Sequence, residues 1–282
     1  MAVTPPFAST LPITAAHYLR VIFWLLCISC PIFLSAQRRD SLTLIKHIAL
    51  KSKLFTTDPL GNVYLIKDNN ALIRYNANGD STGFFNLVKK GKVTHIDATN
   101  PLRVLLYFAE YGQIVILDNI LSQKSSLRLP SLGLFNVPCI ANSADGNIWV
   151  YDPGTGELIK IDEKPSVKFR TPLRNMLDSP LDPIYMVEQD RQFFMIDTLL
   201  GIKKFDQFGF YNTGYPFITR ELQYINQYLI YYQAPYLHSY HIASMREELI
   251  PIPEPDKVLQ VRIERHHLYI LRDEGLYIYA MQ

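Results

Sequence analysis

The chain has no excess of either charge, since 28 lysine and arginine residues stand against 26 aspartate and glutamate residues. Its formal net charge is +2, and it has neither a basic stripe nor an acidic tail. Proteins that bind nucleic acids concentrate positive charge on one surface, because contacts to phosphates supply most of the affinity. The composition therefore excludes nucleic acid as an expected partner.

Cysteine is scarce, with three residues in the whole chain. Cys27 and Cys30 lie inside an apolar N-terminal segment, which leaves Cys139 alone in the remainder. If that segment is removed, an internal disulfide is impossible. We expect Cys139 to be a small buried apolar side chain rather than a nucleophile, because no partner base is evident in the sequence.

Several chemical motifs are also missing. The sequence has no phosphate-binding loop and no zinc motif made of two cysteine pairs. His238 and His241 would point to opposite faces of a strand, and the neighbours His266 and His267 would diverge in the same way. We therefore expect no catalytic residue, no cofactor and no bound metal from the motifs alone.

A long apolar run occurs once, at residues 21–34, after Arg20 and before Ser35 and Ala36. The run is shorter than the roughly twenty residues of a membrane span. A basic residue, an apolar core and small residues at its end are typical of a secretory signal peptide. We expect residues 1–36 to be the signal peptide and residues 37–282 to form a single domain. An uncleaved membrane anchor and lipid attachment at Cys30 are the alternatives.

What the sequence does contain is a repeat of roughly forty residues, each copy built from three or four short apolar runs separated by turns. Tyrosine, phenylalanine and β-branched residues are frequent, as in strands, and no helical periodicity is evident after residue 50. We predict an all-β fold, a six-bladed β-propeller. The last unit, residues 258–282, has only three strands, and residues 41–48 are predicted to supply its fourth and so close the ring. In the fourth unit we expect the outer strand at residues 214–218.

Two units resemble the repeat of NHL-type and SMP-30-like propellers. They read Asp-Pro-Leu-Gly-Asn-Val-Tyr-Leu at residues 58–65 and Asp-Gly-Asn-Ile-Trp-Val at residues 145–150. The Gly-Asn turn joins two strands and carries no chemistry of its own. The resemblance implies that a lactonase of this kind would hold a divalent metal with Glu188, Asn142 and Asp97. The end of the apolar segment, residues 33–37, is similar to exported proteins of Bacteroidota-type bacteria.

The places where function could reside are the central channel and the rim. The first strand of each blade lines the channel of a propeller, and its polar residues are the candidates: Asp58, His95, Asp97, Asn142, Glu188, Gln223, Asn226, Arg262 and Glu264. The densest aromatic cluster, residues 224–236, supplies candidates for partner recognition at a rim: Tyr228, Tyr231, Tyr232 and Tyr236. Aspartates in the turns, such as Asp58 and Asp206, are expected to bind the local backbone instead.

The sequence alone leaves two functions open. The first is an exported, non-catalytic propeller that binds a protein or a cell-envelope component through one rim, as an accessory of a secretion or surface-assembly system. The second is a metal-dependent hydrolase or lactonase that uses polar residues of the channel. Either protein would lie in the periplasm, at the outer membrane or outside the cell, with no membrane span after signal cleavage.

Overall fold

The computed structural model describes residues 1–2, 42–86, 91–177 and 179–281. The predicted signal peptide, apart from its first two residues, lies outside this part of the chain. Residues 42–281 contain 24 strands among the described positions, and they form six four-stranded antiparallel sheets. The prediction of an all-β, six-bladed propeller is confirmed.

Each blade is a meander whose first strand is innermost. The strands of the first three blades are β2 (Ser52–Thr57), β3 (Val63–Lys67), β4 (Leu72–Tyr75), β5 (Ser81–Phe85); β6 (His95–Asn100), β7 (Arg103–Phe108), β8 (Gln113–Leu117), β9 (Gln123–Arg128); and β10 (Ile140–Asn142), β11 (Ile148–Asp152), β12 (Glu157–Ile161), β13 (Val167–Pro172). Those of the fourth and fifth are β14 (Pro183–Gln189), β15 (Gln192–Asp197), β16 (Gly201–Phe205), β17 (Tyr211–Tyr215); and β18 (Gln223–Ile225), β19 (Tyr228–Gln233), β20 (Tyr236–His241), β21 (Arg246–Pro251).

The sixth blade joins the two ends of the domain. It consists of β22 (Val258–Glu264), β23 (His267–Arg272), β24 (Gly275–Met281) and β1 (Leu42–Ile48), and β1 pairs antiparallel with β24 from Leu42–Met281 to Ile48–Leu276. The predicted closing strand is therefore confirmed, although Ser41 falls outside the described residues. Closure leaves no blade at the end of a row, so every described blade packs between two others.

The turns follow from the side chains that the sequence places in them. Oδ1 of Asp58 accepts hydrogen bonds from the backbone N–H groups of Leu60 and Asn62, both at 2.9 Å. Oδ1 of Asp206 does the same for Phe208 and Phe210, also at 2.9 Å. A short acidic side chain thus fixes the turn after a strand, as expected for aspartate in tight turns.

The outer strand of the fourth blade was predicted at the wrong bounds. The outer strand of the fourth blade is Tyr211–Tyr215, three residues earlier than expected. The reason is the turn held by Asp206, which ends at Phe210 and returns the chain to extended geometry at once. The described residues contain four short 3₁₀ helices, at Ala109–Tyr111, Leu129–Leu132, Leu173–Asn175 and Pro255–Lys257, and no α-helix.

The hydrophobic core is divided into six clusters, one at each junction between neighbouring blades. In the junction of blades three and four, Trp149 is fully buried and stacks on Phe193 with 4.6 Å between ring centroids. Cys139 belongs to the same cluster at 1% exposure. Burial raises the pKa of its thiol well above the ordinary value, which is consistent with the apolar role predicted for it.

Candidate functional site

The central channel opens at two mouths. We call the mouth where the innermost strands begin the entry mouth, and the mouth where they end the exit mouth. The exit mouth holds a cavity of about 250 Å³ lined by residues from all six blades. The entry mouth holds a cavity of about 260 Å³ lined by residues from five of them. These two cavities are where a ligand could meet the channel.

The structure places the channel candidates on or directly after the innermost strands. Seven of them are buried: Asp58, His95, Asp97, Asn142, Glu188, Gln223 and Arg262. Glu264 is half-buried at the exit mouth, and Asn226 is exposed in the turn after β18. Oδ1 of Asp58 is used by the hydrogen bonds of its own turn, and its Oδ2 accepts a hydrogen bond from the hydroxyl of Tyr64 at 2.8 Å.

Asp97 and Asn142 join the second blade to the third. Oδ2 of Asp97 accepts the backbone N–H of Asn142 at 2.7 Å, and Nδ2 of Asn142 donates to Oδ1 of Asp97 at 3.0 Å. Oδ1 of Asn142 accepts the guanidinium of Arg103 at 3.1 Å. Both side chains therefore satisfy buried donors of a neighbouring strand, which would otherwise cost free energy.

Glu188 joins the fourth blade to the third. Its Oε1 accepts the backbone N–H of Ala144 at 3.0 Å, and its Oε2 accepts the hydroxyl of Ser143 at 2.8 Å. The indole N–H of Trp149 donates to the same Oε2 atom. One carboxylate thus satisfies three donors of the third blade, two of them buried.

Glutamines make the same kind of connection elsewhere in the ring. The amide of Gln223 donates to the carbonyl of Ile263 at 2.9 Å and accepts its N–H at 2.9 Å. Gln260 forms an equivalent pair with Phe55, at 2.8 and 3.0 Å. A primary amide can replace a missing backbone partner because it carries one acceptor and two donors. Polar inner-strand residues therefore hold adjacent blades together.

The three residues of a lactonase-like metal set are brought near one another, since Asn142 bonds Asp97 and its neighbour Ser143 bonds Glu188. Their oxygens, however, already accept hydrogen bonds from protein donors. Within the described residues, no group of three histidine, cysteine, aspartate or glutamate side chains could hold a metal ion.

The entry-mouth cavity is shaped by three β-bulges. The pairing of the innermost strand with its neighbour shifts register between Ser52 and Leu54, between Pro183 and Tyr185, and between Val258 and Gln260. A bulge leaves one residue unpaired and redirects its side chain. The residues left out of the pairing are Lys53, Ile184 and Leu259, and all three are exposed and line the cavity.

The floor of this cavity is polar. Arg262 is 2% exposed, and it donates to the hydroxyl of Thr57 at 3.2 Å and to Oε2 of Glu221 at 3.3 Å. Gln260 donates to the same carboxylate oxygen at 2.7 Å. Burial raises the pKa of Glu221, and the nearby Arg262 guanidinium opposes that shift.

Two aromatic side chains complete the floor. The ring of His95 meets that of Tyr185 edge-on, with 5.3 Å between centroids. Burial lowers the pKa of His95, whereas the carboxylate of Asp97 opposes the change. Burial raises the pKa of the Tyr185 hydroxyl to about 12. At neutral pH both rings are therefore uncharged, and Arg262 supplies the positive charge of the floor.

The four rim tyrosines are not equivalent. Tyr231 is buried at 3% exposure and lies in the cluster between blades four and five, stacked on His238 at 4.8 Å. Tyr228 and Tyr232 pack against the cluster between blades five and six. Tyr236, at 38% exposure, is the most exposed of the four. It lies at the start of β20, on the same side of the ring as the entry mouth.

One sequence pattern with the letters of a catalytic motif lies where a turn leads into a strand. Gly79-Asp-Ser-Thr-Gly83 has the Gly-x-Ser-x-Gly letters of a hydrolase nucleophile elbow, which requires a strand, a sharp turn and a helix. Here the segment leads from the turn after β4 into the outer strand β5, and Ser81 is exposed. Its context is therefore that of a strand connection.

Sequence reasoning missed several residues of the entry mouth, among them Ile184, Tyr185, Glu221 and Leu259. Alternation along a regular strand places neighbouring residues on opposite faces. The bulges interrupt that alternation, and nothing in the letters of residues 183–185 or 258–260 marks them. Glu221 precedes β18 and so did not count as an inner-strand residue.

No protein-family model matches the chain, and no curated protein sequence matches it. Solved propellers do match it in shape. A streptogramin B lyase has a TM-score of 0.58 at 9% identity, covering 86% of this chain and 98% of its own. A protein of unknown function from Bacteroides thetaiotaomicron has a TM-score of 0.57 at 10% identity, covering 86% and 72%. BBS1N, solved in complex with ARL6DN, has a TM-score of 0.57 at 11% identity, covering 86% and 98%.

Identities this low establish a shared fold alone. Among the described residues, no helix has the length and apolar character needed to cross a membrane.

Proposed function

We propose that this protein is an exported, non-catalytic propeller of NHL- or SMP-30-like lineage that binds a protein or cell-envelope component through its entry mouth. It would act as an accessory of a secretion or surface-assembly system, in a bacterium of Bacteroidota type. The observation that supports this most directly is the set of bulges that expose Ile184 and Leu259 beside a cavity. Exposed apolar side chains around a concave site are typical of recognition surfaces.

Other exposed apolar and aromatic residues also favour the entry side of the ring as the binding surface. Phe135 and Ile218, in the loops that lead into blades three and five, are 60% and 48% exposed. Those loops lead into the innermost strands, so they lie on the same side of the ring as the entry mouth. Tyr236 lies on this side as well, at 38% exposure. The polar groups of the channel, in contrast, are largely engaged in joining the blades, which favours binding over catalysis.

A double substitution tests the proposal. The mature chain, residues 37–282, is immobilised and exposed to an envelope extract, with Ile184→Glu and Leu259→Glu introduced together. We expect any captured partner to be lost, because two charges would enter an apolar contact surface. Both positions are exposed, so we expect stability to change by less than about 0.5 kcal/mol each.

The matched control carries Leu60→Glu and Leu102→Glu, which lie in exit-mouth turns at 56% and 67% exposure. We expect this variant to retain the partner. Capture that survives the entry-mouth substitutions, or that is lost from the exit-mouth variant instead, would place the interaction elsewhere and refute the proposal.

A further inference from the structure

The two mouths of the channel carry opposite charge. The entry cavity is lined by three cationic side chains, Lys53, Arg220 and Arg262, against the single carboxylate of Glu221. The exit cavity is lined by Arg191 against three carboxylates: Glu188, Asp190 and Glu264. The chain as a whole is nearly neutral, so this separation of charge comes from the placement of the residues. An anionic group is attracted to the entry mouth and repelled from the exit mouth.

Arg262 is positioned to receive such a group. Its contacts with Thr57 and Glu221 measure 3.2 and 3.3 Å. Charge-assisted hydrogen bonds between guanidinium and carboxylate are usually about 2.7–2.9 Å. The hydroxyl of Tyr185 lies against the same guanidinium. A ligand carboxylate in the cavity can form a shorter contact with Arg262 than the one that Glu221 makes now. Glu221 is shared with Gln260 at 2.7 Å, which leaves it bound to the wall if its contact with Arg262 is displaced.

The walls and the size of the cavity restrict the ligand further. Ile184 and Leu259 flank the opening. A ligand that carries apolar groups next to its carboxylate would therefore bury them against these two side chains. The volume of about 260 Å³ is just below the range of about 300–1,000 Å³ that is common for small-molecule pockets. It suits one or two side chains of an extended segment.

We propose that the entry cavity binds an acidic peptide segment of a protein partner, with a glutamate or aspartate carboxylate on Arg262 and neighbouring apolar side chains on Ile184 and Leu259. Lys53 and Arg220, both exposed at the opening, attract the segment before it docks. This inference rests on the proposed binding function and narrows its partner to a protein.

The test uses the mature protein and three peptides: acetyl-Ala-Leu-Glu-Leu-Ala amide and its counterparts with glutamine or lysine in the centre. We expect the glutamate peptide to bind at least about fivefold more tightly than the glutamine peptide, and the lysine peptide most weakly. Affinity is measured by NMR titration at about 20 mM and 300 mM salt. We expect it to fall at the higher concentration, because screening weakens exposed charge contacts.

Substitutions in the protein test which side chains contribute to binding of the glutamate peptide. Arg220→Gln and Lys53→Gln should each weaken binding of the glutamate peptide about twofold to fivefold, as expected for single exposed charges. Glu221→Gln should tighten it, because it removes the carboxylate that competes for Arg262. Arg191→Gln, at the exit mouth, is the matched control and should leave the affinity unchanged. All four positions avoid the removal of Arg262 itself, which could impair folding.

Equal affinity for the glutamate and glutamine peptides, an absence of binding, or an effect of Arg191→Gln equal to that of Arg220→Gln would overturn the inference. If the peptides fail to discriminate charge while Ile184→Glu with Leu259→Glu still abolishes partner capture, the inference is wrong and the proposed function stands. If the peptides bind as expected but capture is insensitive to those substitutions, the proposed function is wrong and the acidic-peptide site stands.

Discussion

At the scale of single residues, the channel shows how a polar side chain can serve structure in a place where enzymes keep their catalytic groups. Asp97, Asn142, Glu188 and Gln223 each bond the backbone of a neighbouring blade. Inner strands of different blades do not pair as a sheet, so their N–H and C=O groups need other partners. Carboxylates and amides supply them.

Glu188 gives a direct test of this role. In Glu188→Gln the amide nitrogen would face either the N–H of Ala144 or the donors of Ser143 and Trp149. At least one of these donors would thus lose its acceptor, and we expect unfolding to require about 1–3 kcal/mol less. The measurement is urea denaturation of the purified mature chain.

The control for that experiment is Glu157→Gln, which alters a surface carboxylate paired with Arg170 at 3.0 Å. Its effect should stay below about 1 kcal/mol. If Glu188→Gln were as stable as the parent but lost a stoichiometric divalent ion that the parent binds, the result would favour the lactonase hypothesis and contradict a structural role for Glu188.

At the scale of elements, two features of the strands decide what the ring can do. Bulges at the start of β2, β14 and β22 expose the residues that form the entry mouth. The closing strand β1 depends on a close backbone approach, because the Cβ of any larger residue at position 275 would collide with the carbonyl oxygen of Ile48. Gly275 also has a φ of 149°, which disfavours residues with side chains.

Gly275→Ala should therefore loosen the closing strand. We expect a loss of about 2–4 kcal/mol in the free energy of unfolding, since backbone strain adds to the steric clash. Amide hydrogen exchange in β1 should accelerate more than in the other outer strands. Gly146→Ala is the matched control: it has a φ of 82° and no atom within 4 Å of the added carbon, and it should cost about 1–2 kcal/mol. Equal losses in both variants would contradict the steric argument.

At the scale of the whole molecule, the chain unites a predicted export signal with a ring whose last blade needs residues 42–48. Cleavage after Ala36 would leave the closing strand complete, because β1 begins at Leu42. Processing that reached into β1 would expose the edge of β24, and an unpaired edge promotes association with other chains. Any cleavage that accompanies export must therefore fall ahead of Leu42 if the ring is to close.

Expression in a bacterial host that secretes proteins should give a mature chain that starts at Gln37. N-terminal sequencing and intact mass measure this directly, and substituting Ala36 with a bulky residue such as tyrosine should slow processing. A mature protein that keeps residues 21–34 in the membrane fraction would favour the anchor alternative. A lipid-modified Cys30 would favour the attachment alternative.

The periodic pattern of short apolar runs predicted the fold correctly because five of the six blades are built entirely from strands that follow one another along the chain. Turn residues such as Asp58 and Asp206 could be interpreted alone, since their hydrogen bonds reach only two to four residues along the chain. The location of the channel candidates followed from the same regularity. The burial of the clustered tyrosines was harder to predict, because it depends on the neighbouring blade. Tyr231 faces blade four, and Tyr236 does not.

The sequence by itself determined six meanders of strands, the turns between them and a strand from residues 42–48 that completes the last blade. The meanders and turns depend on local hydrogen bonding and on alternating burial within one repeat, and the closing strand follows from the fourth strand that the last repeat lacks. The tertiary structure alone decided which polar side chains join neighbouring blades, where three bulges face a common cavity, and how a nearly neutral chain acquires one positive and one negative mouth. Those properties arise between residues that are 39 to 205 positions apart, and only closure of the ring brings them together.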